Sequence, residues 1–363
     1  MINLPIENDG GTIRVGTPPE HLEHTAVVEA RGALLLWDEL SVKPHPSAWI
    51  FDTERAADWL WEVYGGRGAA AVFSPVPASR IQVEPHSSTV LTRLRRLASI
   101  TWADVWWPTS EQANIPPLSN VLLATERALE TFAVEHLLDN ESAVEHALAA
   151  IDLHSLENWY DDPLVGEHVR QSHDRIEKLF TDYGVDPTSA STSASTSAEP
   201  PHAVSPEWAL AAGDHRVGGT VVLHGKSPVM WSHVARGSVD AAAVARWTLS
   251  RHVGETILSV SVPSGEHPTA ALIARMGDGE VSLPHKHDSG EYRGWASVPS
   301  GLLLQPASAR RVLVYGPDVT TTPDELDPAS ADRQTAVIEH ARSRLGEPDA
   351  LLAQRAARRS DIP

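Results

Sequence analysis

The stretch GDGEVSLPHKHDSGE, residues 277–291, carries His285-x-His287, three further residues, and then Glu291. Two imidazoles and a carboxylate make a donor set that holds a divalent metal while leaving coordination positions open. Along a strand, alternate side chains share a side, so His285 and His287 face the same way. A turn through Asp288–Gly290 then returns Glu291 toward them. The same residues also read as a polar hairpin tip, with Pro284, Ser289 and Gly290 as the turn formers. A second concentration is TWADVWWPTS, with Trp102, Trp106 and Trp107 inside six residues. On a helix, Trp102 and Trp106 share a face at i,i+4, and Trp107 points about 100° away. Indoles bury large apolar areas, which makes them core anchors. An exposed Trp107 instead makes an aromatic patch for a ligand or partner.

The spacing of Gly279, five residues, His285-x-His287, three residues and Glu291 resembles the first motif of the cupin family, small β-barrels that hold a divalent metal. The resemblance covers 13 residues, 279–291. It implies a divalent metal as cofactor and a metal-dependent reaction of the oxygenase or isomerase kind. The glycine that the family places seven residues after the glutamate is Val298 here. RRVLVYGPDVTTTPDELDP holds no counterpart of the second motif, which supplies the last histidine.

Other chemistries find less. There is no cysteine, so thiol nucleophiles, disulfides and cysteine-ligated metals are excluded. No His-Glu-x-x-His, Gly-x-Ser-x-Gly or Gly-x4-Gly-Lys-Ser/Thr string occurs. Gly66-x-Gly68-x-x-Ala71 follows a helical segment and precedes a strand-like one, the reverse of what phosphate binding at a helix N-terminus requires. The 18 histidines lie mostly beside acids on helical stretches and read as solvated faces. No residue set is assigned a catalytic role.

The formal charge of −19 argues against a nucleic-acid partner, because phosphates are neutralised by Lys and Arg. Residues 1–187 hold 29 acidic and 13 basic side chains, a net of −16, which also disfavours an anionic membrane surface. No apolar run approaches the ~18 residues a membrane-spanning helix needs. MINLPIENDGG lacks a basic region followed by an apolar one, so a cytoplasmic location is expected. Only four of the 29 cations are lysine, which with the abundant alanine suggests a GC-rich bacterial source.

At 363 residues, two domains are expected. DPTSASTSASTSAEPPHAVSP, residues 186–206, has little to bury and reads as a flexible linker. Before it, TAVVEA, GALLLW, AWIFD, AAAVF and IQVE read as strands. A helix over Thr53–Tyr64, stopped by Gly65–Gly66, interrupts them, and four amphipathic helices follow Pro85. After the linker, short strands recur between turns: GGTVVLHG, PVMWSHV, VARWTLS, TILSVSVP, TAALIARM, GEVSLP, EYRGWASVP, GLLLQ and RRVLVYG. The expectation is an α+β multidomain chain. It consists of an acidic Trp-rich α+β domain over 1–185, the linker, a C-terminal antiparallel β-sandwich (immunoglobulin-like or jelly-roll) over 207–318, and a helical tail over 319–363. The function expected first is that of an accessory or adaptor protein whose acidic half meets a basic protein partner, with Trp102, Trp106 and Trp107 as contact residues. The alternative is a metal-dependent enzyme using His285, His287 and Glu291.

Overall fold

The computed structural model describes residues 2–73, 78–83, 88–186, 220–307, 309–319 and 329–358. The protein is a mixed α+β chain of two compact units. The first comprises Met1–Trp107, Leu118–Ser197 and Ser343–Pro363; the second comprises Pro108–Pro117 and Ala198–Arg342. These units cut across the bounds read from the sequence. Residues 108–117 leave the first unit for the second, and residues 343–363, read as part of a tail, belong to the first. The linker expected at 186–206 lies, apart from Asp186, outside the described residues.

The first unit opens with a hairpin that pattern reading missed, β1 (Ile2–Asp9) and β2 (Thr12–Val15). Its turn is Gly10–Gly11, with φ of 59° and 103°, flanked by the pair Asp9↔Thr12. Only glycine enters this region without strain, and Asp-Gly-Gly is a hairpin signal. With β3 (Thr25–Ala30), β4 (Ala33–Asp38), β5 (Ser47–Ile50) and β6 (Ala78–Val83), these form a six-stranded sheet in the order β3-β4-β5-β2-β1-β6. Period-2 alternation sends Val28, Leu35, Ala48, Val15 and Ile6 to one buried face, all in one register row.

Helices α1 (Thr53–Ala56) and α2 (Leu60–Val72) follow β5. Here AAAVF, expected as a strand, is the end of α2. Gly65 does leave helical geometry, at φ 71° and ψ 167°, but the helix resumes beyond it, as the alanine content favours. α3 (Thr89–Trp106) starts at Ser88, whose Oγ accepts the Leu91 N–H at 3.3 Å, and stops before Pro108. α4 (Asn120–Ala133), α5 (Ala143–Ala149), α6 (Leu153–Glu157) and α7 (Gly166–Tyr183) complete the helical layer. α4, α5 and α7 share a core of Ala128, Val144, Leu148, Ile176 and Phe180.

In the second unit, β7 (Thr220–Pro228), β8 (Val244–His252), β9 (Glu255–Pro263), β10 (Ala271–Met276), β11 (Gly279–Lys286), β12 (Glu291–Val298) and β13 (Leu313–Tyr315) form one antiparallel sheet. The order is β13-β10-β11-β12-β9-β8-β7. β11 is the joint of the curl. Its first part pairs with β10 and its end, His285 and Lys286, pairs with β12, so two half-sheets close over one core in a sandwich-like way. Trp247, Leu258, Val260, Leu272, Leu283 and Tyr292 fill that core. Gly225 on β7 exists for Trp247: a Cβ there would lie 2.4 Å from the indole ring. PVMWSHV and GLLLQ, expected as strands, are single 3-10 turns at Trp231–His233 and Ser300–Leu304. Pro228 and Pro299 precede them, and proline cannot donate to a ladder. The C-terminal helices are α8 (Ser330–Arg344) and α9 (Leu352–Ala357), separated at Gly346–Pro348 as expected. Among the described residues, no helix is long and apolar enough to cross a membrane.

Candidate functional site

Cross-strand register decides what the His-x-His…Glu stretch can do. His285 lies opposite Tyr292 and Lys286 opposite Glu291. Directly paired residues share a face, and successive residues alternate. His285 therefore joins Tyr292 on the inner side of the sheet, and Glu291 stands on the outer side. The His285 and His287 rings meet edge to face at 4.6 Å, and His285 contacts the Tyr292 ring at 5.2 Å. Burial, and after it the neighbouring His287, holds the His285 imidazole below its ordinary pKa. The Glu291 carboxylate instead accepts Arg293 Nη2 at 2.7 Å. The expected three-ligand face is thus split across the sheet. Among the described residues, no group of three or more His, Asp or Glu is placed to hold a metal ion.

The tryptophan cluster also differs from the patch anticipated for it. Trp102 is 2% exposed, and its Nε1–H donates to the Glu23 carbonyl at 2.9 Å. Trp107 is 8% exposed and Trp106 is half-buried. With two of the three indoles covered, Trp102, Trp106 and Trp107 do not form an open aromatic surface. A buried indole that finds an acceptor for its N–H is a core anchor.

The second unit presents a different face. Along β8, β9 and β12, the residues that alternate with the core are Arg246, Thr248 and Ser250; Ser259 and Ser261; and Arg293 and Trp295. Register aligns them into rows across four strands. One row reads Lys226, Arg246, Ser261, Arg293, and the next reads His224, Thr248, Ser259, Trp295. Lys226, Arg246, Arg293 and His224 are exposed, and Trp295 is 47% exposed. Neither Lys226 nor Arg246 has an ion-pair partner among the described residues. A shallow groove of about 240 Å³ runs across this face, lined by Val221, Thr248, Ser250, Ser259, Arg293, Gly294 and Trp295. An exposed indole flanked by hydroxyls and guanidinium groups offers stacking, donated hydrogen bonds and positive charge on one flat platform.

Two buried polar clusters were also missed by motif reading. Asp240, 5% exposed, accepts Ser110 Oγ–H, Glu111 N–H and Ala242 N–H at 2.8 Å each, and Gln112 N–H at 3.4 Å. It fixes the 108–117 segment inside the second unit. In the first unit, Glu126 and Glu130 on α4, 4% exposed each, face Arg93 and Arg96 on α3. Glu126 Oε2 also accepts the Leu352 N–H at 2.8 Å, so it holds the start of α9. Burial pushes both carboxyls above their ordinary range, and the arginines pull them part of the way back. The spacing of Glu126 and Glu130, i,i+4, was visible; their burial was not.

No protein-family model matches the chain, and neither do any of the curated proteins or solved structures with which it was compared.

Proposed function

We propose that this chain is a cytoplasmic bacterial adaptor that binds protein partners and does not turn over a substrate. Its acidic N-terminal unit suits a basic surface, as the net of −16 over residues 1–187 implies. Its C-terminal sheet supplies a separate contact. The observation that carries the reading is Trp295: a large indole held 47% exposed on the outer face of the sheet, beside a groove and a row of cations. An exposed aromatic anchor ringed by polar groups is the composition of an interaction surface, where tryptophan and arginine supply most of the binding energy.

The test is affinity capture from cells of the source organism, using the full chain as wild type and as Trp295→Ala, with captured proteins quantified by mass spectrometry. At least one partner recovered with the wild type should fall about tenfold with Trp295→Ala, the loss expected for a hot-spot tryptophan. An identical set recovered with both chains would refute the reading.

A further inference from the structure

We infer that the outer face of the C-terminal sheet binds an extended acidic peptide segment that carries an aromatic side chain, with the acids on the Lys226–Arg246–Arg293 row and the ring on Trp295. The inference rests on the binding reading above and adds the chemistry of the partner at that face.

Lys226 and Arg246 stand directly opposite each other on β7 and β8. Like charges in that position destabilise a strand pair, so the arrangement costs the sheet stability in the free protein and is relieved when an anion sits between them. Arg293 extends the row on β12. Among the described residues its one carboxylate partner is Glu291, on the same strand and the same face. Opposite Glu291, Lys286 adds a fourth cation to this side. Among the described residues these four cations stand beside the single carboxylate Glu291 on their rows, a local reversal of the field of a chain of formal charge −19. It attracts an acidic segment while the rest of the surface repels one, which confines binding to this place.

The geometry suits an extended chain. Three strand spacings separate Lys226 from Arg293, about 14 Å. An extended peptide places every second side chain about 7 Å apart, so carboxylates four residues apart reach both ends of the row. Between them, Ser261, Ser259 and Thr248 are small enough to let a backbone lie close to the sheet, and their hydroxyls serve its carbonyls and N–H groups. Trp295 is one row away on the strand that carries Arg293, and an extended segment turns alternate side chains to the sheet, so a ring two residues from an acidic one stacks on the indole as the acid meets the guanidinium. A nucleic-acid strand also bears rings and anions. Its continuous phosphate charge, though, meets the repulsion of the whole acidic molecule with only a few cations to offset it.

The probe is a fluorescein-labelled (Glu-Ser-Tyr-Ser)3 peptide, whose acids and rings share one side when extended, titrated with the full chain and read by fluorescence anisotropy at about 50 mM and about 300 mM salt. Saturable binding is expected. It should weaken about tenfold in Arg246→Glu and severalfold in Trp295→Ala, weaken again at the higher salt, and be absent for (Lys-Ser-Tyr-Ser)3. If Arg246→Glu does not fold, Lys226→Ser and Arg246→Ser carry the same comparison. The inference is overturned by failure of the acidic peptide to saturate, by equal binding in the variants, or by tighter binding of a labelled dT12. A partner lost from capture by Trp295→Ala, together with no binding of the acidic peptide, would leave the binding reading standing and remove the acidic ligand.

Discussion

Replacing Asp240 with alanine is expected to destabilise the C-terminal unit by about 4 kcal/mol, seen as an earlier transition in urea unfolding followed by tryptophan fluorescence. The carboxylate is buried and accepts four hydrogen bonds, three of them from the 108–117 segment. Without it, the Glu111, Gln112 and Ala242 N–H groups and the Ser110 hydroxyl lose their common acceptor inside the protein. Ser110 is buried whereas Glu111 and Gln112 lie at the surface, so the full cost of on the order of 1–3 kcal/mol for an orphaned buried group falls on the Ser110 hydroxyl and only part of it on each N–H. Ser110 passes the contact on, because its Oγ accepts the Ala113 N–H at 2.9 Å, and Arg342 Nη2 donates to the Ala113 carbonyl at 3.0 Å. Ser110→Ala should therefore cost about 1 kcal/mol, well below the loss for Asp240→Ala. Equal losses from the two changes would show that the carboxylate does not organise the segment.

Glu126→Ala is expected to cost about 3 kcal/mol in the N-terminal unit, because it leaves the Leu352 N–H without its acceptor and, among the described residues, leaves Arg96 with only Glu130 and the Asp349 carbonyl as partners. Its signature is a change in pH dependence. With the folded pKa of Glu126 raised above its unfolded value, the folded state holds the proton more tightly. The group's contribution to stability is then full below the unfolded pKa, near the ordinary carboxylate range, and is lost as pH rises through the folded value. Glu126→Gln removes that dependence and keeps the shape. The stability of the wild type minus that of Glu126→Gln should therefore grow on going from about pH 7 to about pH 5, measured by urea unfolding at both. A difference that shrinks on acidification would mean that Arg96 outweighs burial and the carboxyl titrates below its ordinary range.

Much of the architecture was legible from periodicity. Arg246 and Thr248 alternate with Ala245, Trp247 and Leu249, and that pattern alone puts the first pair outside and the others in the core. It could not say that Arg246 stands opposite Lys226, or that Trp295 falls one row from both, because register is a property of pairing across strands. Register is also why the histidine motif misled. Local spacing treats His285, His287 and Glu291 as one constellation, whereas the pair Lys286↔Glu291 turns the carboxylate to the other side. The move of 108–117 into the second unit depends on Asp240, more than a hundred residues away, and no change in composition marks it. The one hint was a lone carboxylate in SVDAAAV, where a charge among apolar neighbours needs buried donors. Trp102 on α3 and Trp107 just beyond its end are covered and Trp106 is half-buried, a difference that their spacing alone does not give.

The most direct test of the binding face is site-specific photo-crosslinking in cells, with benzoylphenylalanine placed at Ser259 in the groove or, for comparison, at exposed Ala70 in the N-terminal unit. A discrete adduct with another protein is expected from position 259, absent from position 70 and lost when Arg246→Glu is combined with it. Adducts of equal yield at both positions, or an adduct at 259 indifferent to Arg246, would contradict a binding role for this face.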